Sequence, residues 1–208
     1  DMPGLASRND GKVVWGPVRE LIEDLDILPL PAYDLFPMEK YAGHTYWKPF
    51  VEVVTSRGCT HGCAFCYEWS EHDPRAIKNF NRWRAKSAKR VVDEVELLEK
   101  KFGTKVMVIQ EDNFNINGRR VREFCEEKIK RGLNMKWVSL GCASDWVRLE
   151  ADVPLMKKAG MFMGVFGIEV ANDDELRRLD KGITVDQIYK TIDILRKNDI
   201  AIVGDIMI

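Results

Sequence analysis

The sequence lacks a strong excess of charge of either sign, and it lacks long apolar runs. Its 32 basic and 33 acidic residues leave a formal net charge of −1, which gives no overall attraction to nucleic acid or to an anionic membrane. No apolar run approaches the roughly 18 residues of a membrane span, and the polar start DMPGLASRND has no signal-peptide pattern. These absences predict a protein without a membrane span, and we expect a cytoplasmic location.

A disulfide pattern is also missing. The chain has five cysteines, an odd number, and three of them are clustered. A disulfide framework favours an even number of spaced cysteines. In a chain of 208 residues, clustered thiols indicate a reducing compartment and metal chemistry.

Proline is scarce after residue 50, because six of the eight prolines lie in residues 1–50. Each proline removes a backbone donor and restricts the residue before it, which excludes a long helix or a central strand in this part of the chain. We predict that residues 1–50 are a proline-rich linker and that residues 51–208 form one domain. The chain starts without Met and stops within the apolar run AIVGDIMI, so we expect it to be a fragment.

From residue 51 onward, short apolar runs alternate with amphipathic stretches. The apolar runs predict five strands: FVEVVTS, KVMVIQ, MKWVSLGC, FMGVFGIEV and IAIVGDIMI. The amphipathic stretches predict four helices: SAKRVVDEVELLEKKF, RRVREFCEEKIKRG, VPLMKKAG and TVDQIYKTIDILRKN. Apolar strands that alternate with helices predict an α/β fold with a parallel sheet. The length favours a partial, TIM-like βα barrel over a complete one of about 250 residues, and a doubly wound open sheet is the alternative.

The first predicted strand runs into TSRGCTHGCAFCYEW, which contains Cys59, Cys63 and Cys66. A structural zinc site is closed by four protein ligands. His61 is a poor fourth ligand because it lies between two ligands, and Cys125 falls on the core face of a predicted helix. A 4Fe-4S cluster on three cysteines leaves one iron open for another ligand. We therefore favour a 4Fe-4S cluster, and a non-catalytic iron–sulfur or zinc module is the alternative.

The spacing CxxxCxxC, with Phe65 before the last cysteine and a strand before the first, resembles the radical S-adenosylmethionine (SAM) superfamily. Three longer segments, IEDLDILPLPAYDLFPMEKY, VIQEDNFNINGRRVREFC and GIEVANDDELRRLDKGITVDQI, are similar to a subfamily with an amino-terminal cobalamin-binding domain. That subfamily includes methyltransferases and the anaerobic magnesium-protoporphyrin cyclase. The resemblance implies a radical SAM barrel of the (βα)6 type, truncated here after about five strands, with a cobalamin-binding domain missing before the linker.

The resemblance also implies an activity and its participants. It implies an enzyme that binds a 4Fe-4S cluster through Cys59, Cys63 and Cys66, and that cleaves SAM reductively to a 5′-deoxyadenosyl radical. The backbone of Phe65 is implied to approach the adenine. The radical would serve methylation or oxidative cyclisation of a small-molecule or peptide substrate, with an electron donor such as flavodoxin or ferredoxin. Cobalamin is implied only through a domain outside this chain.

Three carboxylates are implied to contact SAM. Glu111 and Asp112 stand where the superfamily has a motif that receives the methionine amino group, and capping of the next turn is their alternative role. Glu169 ends the fourth predicted strand, and a carboxylate there is implied to accept the ribose hydroxyl protons. Because a buried carboxylate needs a partner, a structural pairing of Glu169 with Arg177 or Lys181 is the alternative.

The third predicted strand ends with Cys142 and Ser144, where subfamily members often have an arginine. We predict that Cys142 is a buried, inert thiol, and a hydrogen-atom donor is the alternative.

The run RAIKNFNRWRAKSAKR holds seven basic residues and no acidic residue. We predict that it is a solvated face or a loop over the cofactor, because the following helix is rich in Glu. An RNA-modifying radical enzyme, with Phe80 and Trp83 stacking on bases, is the alternative, but nucleic acid is not the expected partner.

Overall fold

A computed structural model describes residues 2–17, 19–41, 47–66 and 83–208. The strands in chain order are β1 (Ala6–Asn9), β2 (Lys12–Trp15), β3 (Phe50–Val53), β4 (Ser56–Arg57), β5 (Arg84–Ala85), β6 (Val106–Ile109), β7 (Lys136–Leu140), β8 (Met161–Glu169) and β9 (Ala201–Ile206). The α-helices are α1 (Ala88–Phe102), α2 (Gly118–Lys130), α3 (Ala143–Arg148), α4 (Val153–Lys158), α5 (Asp173–Arg178) and α6 (Val185–Lys197).

Five of these strands form a parallel sheet in the order β3-β6-β7-β8-β9. Each strand of this sheet therefore lies beside the strand that precedes it in the chain. A doubly wound sheet reverses its strand order at a switch point, whereas a βα barrel adds every new strand at the same edge. The α/β prediction is confirmed, and the strand order fits the partial barrel. All five carboxyl ends consequently lie at the same end of the sheet.

The helices pack on the sheet through the apolar stripes that the sequence predicts. Helix α1 buries Val91, Val95 and Leu98. Helix α2 buries Phe124 and Cys125, and burial raises the pKa of Cys125 to about 12. The predicted packing role of Cys125 is confirmed.

Helix ends follow the expected chemistry. Helix α6 begins with the predicted capping box, in which the Thr184 hydroxyl accepts from the Gln187 backbone N–H and the Gln187 side chain accepts from the Thr184 N–H. Helix α1 begins after Ser87, whose hydroxyl accepts from the Arg90 N–H, and ends at Gly103 with φ of 66°. These groups satisfy backbone donors and carbonyls that a helix leaves unpaired at its ends.

The predicted end of the third strand was wrong. Strand β7 ends at Leu140, so Cys142 does not lie in the strand but caps the short helix α3. The turn falls at Gly141, where a Cβ atom would lie 2.5 Å from the Nδ2 atom of Asn115. The chain passes too close to Asn115 for a side chain at this point, and it then turns into the helix.

The linker also contains an element that the proline argument missed. Strands β1 and β2 form an antiparallel hairpin. Its turn is Asp10-Gly11, with φ values of 49° and 76°, as in the two-residue turns that Asp-Gly favours. The Asp-Gly pair was therefore the signal for this hairpin. The boundary between linker and domain near residue 50 stays a prediction.

Part of the basic run lies among the described residues, from Trp83 onward, and Phe80 lies outside them. Arg84 and Arg90 donate to backbone carbonyls of the linker at 2.7 and 2.6 Å, so these two guanidinium groups take part in internal contacts. In the part of the chain that the structure describes, the helices are too short or too polar to cross a membrane.

The linker is attached to helix α1 through a buried polar group. The hydroxyl of Tyr33 donates to Oε1 of Glu94 at 2.6 Å, and Lys86 binds Oε2 of the same carboxylate at 2.7 Å. Tyr33 and Glu94 are 8% and 2% exposed. Burial, and then the Glu94 carboxylate, raise the pKa of Tyr33 above its usual value, so the phenol remains a donor at neutral pH.

Replacing Tyr33 with Phe tests this attachment. The variant leaves the buried Glu94 carboxylate with Lys86 but without the phenol, and we expect the free energy of unfolding to fall by about 1–2 kcal/mol. Urea denaturation measures the change. Tyr189→Phe is the matched control, because Tyr189 is 63% exposed and its loss should leave stability unchanged. Equal stability of both variants would show that the Tyr33–Glu94 bond does not hold the linker on α1.

Candidate active site

The cysteine loop, residues 58–66, lies beyond the carboxyl end of β3. Gly58 turns the chain into the loop with φ of 82°, a conformation that favours glycine. The three clustered cysteines line one cavity of about 190 Å³. The rest of its wall comes from the loop itself, the ends of β6 to β9 and the turn before α6: His61, Phe65, Asp112, Asn113, Leu140, Gly141, Cys142, Val165, Phe166, Gly167, Lys181 and Asp205.

The three clustered thiols can be compared with the ligand sets of two kinds of metal centre. All five cysteines are free, and Cys59, Cys63 and Cys66 line the same cavity. Three thiolates hold a cubane cluster with one iron left open, whereas a structural zinc site is closed by four protein ligands. The donor set therefore fits a 4Fe-4S cluster.

Charges and donors around the loop offset the burial of the thiols. Burial raises the pKa of Cys59 to about 11 and also raises the pKa of Cys63. The backbone N–H of His61 donates to the Cys59 sulfur at 3.4 Å, and the nearby Lys181 ammonium acts to lower the pKa of Cys63. Because metal binding requires thiolates, these groups stabilise the charge that appears when iron displaces the thiol protons.

His61 joins the cysteine loop to helix α3. Its Nε2 atom lies 2.8 Å from Oδ2 of Asp145, and Asp145 also accepts from Asn113 at 2.6 Å and from Arg148 at 2.7 Å. Hydrogen bonds with Asp145 and Cys142 raise the pKa of His61 to about 10. Burial alone would raise the pKa of Cys142, but its contact with His61 lowers it. Because its Nε2 atom is bound to Asp145, His61 anchors the loop. This position agrees with the prediction that His61 is a poor fourth ligand.

A second anchor holds the loop at Ala64. The backbone N–H of Ala64 donates to the carbonyl of Leu179 at 2.9 Å. The Lys181 ammonium lies 5.4 Å from the centre of the Phe65 ring, within the range of a cation–π contact. The predicted adenine contact, Phe65, is thus on the cavity wall, and its ring is held by Lys181.

Glu169 ends β8, as predicted, and its carboxylate is paired inside the protein. Its Oε1 atom accepts from Lys181 at 2.6 Å, which is the pairing that burial of this carboxylate required, while Arg177 pairs with Asp174. A Cβ atom at Gly167 would lie 2.0 Å from Oε1 of Glu169, so the pair occupies space that only glycine leaves open. Burial alone would lower the pKa of Lys181, but Glu169 raises it. Lys181 lines the cavity, and its partner Glu169 is 8% exposed.

The structure separates the two adjacent carboxylates, Glu111 and Asp112. Asp112 lines the cavity. Glu111 instead accepts from the Thr55 hydroxyl at 3.0 Å and lies 3.8 Å from the Arg120 guanidinium, and both of these partners are buried. Glu111 is therefore part of a polar network beneath the site, in which Arg120 also donates to the Thr55 carbonyl at 3.1 Å.

Three side chains of the site were missed or underrated by sequence reasoning. Asn113 directly follows the two carboxylates, and its place at a strand end was an available signal. Lys181 was considered only as a partner of Glu169, although it also faces the cysteines. Asp145 carried no sequence signal, because its role depends on a contact with His61, 84 residues away.

A second cavity, of about 520 Å³, adjoins the first on the concave face of the sheet. Leu140, Val165 and Asp205 line both cavities. The rest of its wall combines apolar side chains with the polar Glu52 and Gln110: Trp47, Phe50, Glu52, Val108, Gln110, Val138, Met163 and Val203. A small organic molecule in this second cavity would lie directly beside the cysteine cavity.

Comparison with known proteins identifies the family of this chain. Residues 53–208 match the family described as the Radical SAM superfamily. An uncharacterized methyltransferase of Pyrococcus horikoshii is 32% identical over 205 residues, covering 99% of this chain and 42% of that protein. The anaerobic magnesium-protoporphyrin IX monomethyl ester cyclase of Rubrivivax gelatinosus is 33% identical over 191 residues, covering 92% of this chain and 33% of the cyclase. The chain thus spans less than half the length of these relatives.

Solved structures show the same fold. The cobalamin-dependent S-adenosylmethionine radical enzyme OxsB, solved with aqua-cobalamin and S-adenosylmethionine bound, matches with a TM-score of 0.80 and 18% identity over 99% of this chain and 29% of OxsB. The radical S-adenosylmethionine methyltransferase TsrM of Kitasatospora setae matches with a TM-score of 0.62 and 17% identity over 74% of this chain and 30% of TsrM. Together with the match over residues 53–208, the partial barrel and the cysteine cavity at its carboxyl end show that this chain belongs to the radical SAM superfamily.

Proposed function

We propose that Cys59, Cys63 and Cys66 bind a 4Fe-4S cluster, and that the protein cleaves SAM reductively for methylation or oxidative cyclisation of an organic substrate. The observation that carries the proposal is the arrangement of the three thiols, which share one cavity beyond the carboxyl end of β3. The chemistry that the bound cluster and SAM supply is a 5′-deoxyadenosyl radical that removes hydrogen from the substrate.

The side chains around the cavity hold and orient SAM in this proposal. Asp112 lies on the cavity wall, so we assign to it the contact with the methionine amino group, while Glu111 supports the floor through Thr55. Phe65 borders the adenine. Glu169 accepts from the ribose hydroxyls, with Lys181 fixing its carboxylate. Fixed donors and acceptors of this kind orient a cofactor because they need no rearrangement when it binds.

The substrate and the partners follow from the adjoining cavity and from the relatives. The second cavity, on the concave face, is of a size for an organic group beside SAM. The relatives are named as methyltransferases and cyclases, which supports either methylation or cyclisation of a small molecule or peptide here. An electron donor of the flavodoxin or ferredoxin class would reduce the cluster in the cytoplasm. Cobalamin would come from a domain that precedes the linker of residues 1–50.

Replacing Cys63 with Ala tests the cluster. A cubane with only two protein thiolates is poorly retained, so we expect the variant to contain almost no iron or sulfide after anaerobic reconstitution and to lack SAM cleavage. Iron and sulfide analysis and the visible absorption spectrum measure the outcome. Cys125→Ala is the matched control, because this thiol is buried in the core; it should keep the cluster and lose only about 1–2 kcal/mol of stability. A cluster of four irons in Cys63→Ala would refute the ligand assignment.

Replacing Glu169 with Gln tests the ribose contact. The amide keeps the shape but loses the charge-assisted acceptor, and we expect SAM affinity to fall by about one to two decades. Titration of SAM against the reduced protein, followed by the EPR spectrum of the cluster, measures the affinity. Glu175→Gln is the control, because Glu175 forms an exposed pair with Arg178.

A purely structural role for Glu169 has a different signature. In that case Glu169→Gln would lower the midpoint of thermal unfolding of the apoprotein and leave SAM affinity unchanged, since only the pair with Lys181 would be lost. That result would remove Glu169 from the binding site.

A further inference from the structure

We infer that His61 and Asp145 are a positioning pair that holds the cysteine loop against helix α3 and thereby sets how firmly the cluster is retained. The inference rests on the proposed function, because it concerns the loop that would carry the cluster. Neither residue is a cluster ligand in this arrangement. They act through the positions of Cys59 and Cys63.

The contact joins parts of the chain that the sheet alone does not hold together. His61 lies between Cys59 and Cys63 in the sequence, and its Nε2 atom is 2.8 Å from Oδ2 of Asp145 on α3. The loop follows β3, whereas α3 follows β7, and β6 separates these strands in the sheet. The hydrogen bond therefore spans two strand positions across the mouth of the barrel. It fixes the middle of the loop at a point separate from the Ala64–Leu179 contact.

The Asp145 carboxylate is also held by partners other than His61. Asn113, which is 1% exposed, donates to Oδ2 of Asp145 at 2.6 Å. Arg148 donates to Oδ1 at 2.7 Å and also to the backbone carbonyl of Asn115 at 2.7 Å. Asp145 is itself 7% exposed. Because these donors fix the carboxylate independently, the His61 contact restricts the loop and leaves the helix unchanged.

Two glycines give the middle of the loop a conformational freedom that the His61 contact limits. Gly58 and Gly62 flank the stretch that contains Cys59 and His61, and glycine has the greatest backbone freedom of any residue. A ligand loop releases its metal through transient opening, so the release rate follows the population of the open loop. A hydrogen bond to a buried carboxylate is stronger than one between neutral groups. Its loss should therefore raise the open population and speed iron release.

Two variants at one position separate the hydrogen bond from the imidazole ring. His61→Ala removes the donor, and we expect the reconstituted cluster to lose iron to an excess of EDTA about tenfold faster than wild type. His61→Gln keeps an N–H donor of similar reach, and we expect a release rate close to that of wild type. Decay of the visible absorption of the cluster under anaerobic conditions gives the rates. The EPR spectrum of the reduced cluster should broaden in His61→Ala and not in His61→Gln, because the ligands of a freed loop sample more positions.

A destabilised control distinguishes positioning from general stability. Cys125→Ala weakens the core at a distance from the loop, and its iron release and EPR spectrum should match those of wild type. Thermal unfolding of the apoproteins provides the comparison of stability. If Cys125→Ala speeds release as much as His61→Ala, or if His61→Gln behaves like His61→Ala, the positioning role is refuted.

Different experimental results would overturn this inference and the proposed function. If wild type takes up no iron–sulfur cluster, both are overturned. If wild type and His61→Ala bind the cluster and release iron at equal rates, the proposed function stands and only the positioning pair is overturned.

Discussion

The site depends on one constraint, which is the winding of five parallel strands in sequential order. Parallel strands with right-handed crossovers place all their carboxyl ends at one end of the sheet. The residues that follow β3, β6 and β7 therefore meet, and so do those at the end of β8. Cys63, Asp112, Cys142 and Gly167 lie far apart in the sequence, yet they line one cavity. No local interaction among them would produce this arrangement without the sheet.

Around that cavity, buried charges occur with partners, as the energetics of burial requires. Glu169 binds Lys181 at 2.6 Å, and Asp145 accepts from three side chains. Such groups are strongly destabilising when a partner is removed, because a charge then remains buried without compensation. The same hydrogen bonds and ion pairs also fix the orientation of these side chains. His61 and Lys181, which line the cavity, are thus held in orientation by these carboxylates before any ligand binds, which lowers the cost of ordering the site.

Local patterns predicted the parts of the structure that depend on local chemistry. The apolar runs gave the five strands, the helical stripe placed Val95 inward, and Thr184 marked a helix start. The partner of Glu111 was not predictable in the same way, because Arg120 is an ordinary surface residue type in sequence, and Lys181 was one of two candidate partners of Glu169. Only the tertiary fold buries Arg120 and Lys181 and places them beside carboxylates. Helix α3 was missed for a related reason, since the apolar run of β7 continues to Cys142 while a close contact at Gly141 ends the strand.

The two cavities adjoin each other through shared side chains. Leu140, Val165 and Asp205 belong to both walls, so a molecule on the concave face would contact the same side chains that border the cysteine cavity. Asp205 lies on β9, the edge strand of the sheet. A group bound there would border both cavities. The wall of the second cavity combines apolar and polar side chains, and the carboxylates of Glu52 and Asp205 are the charged groups among its described lining residues.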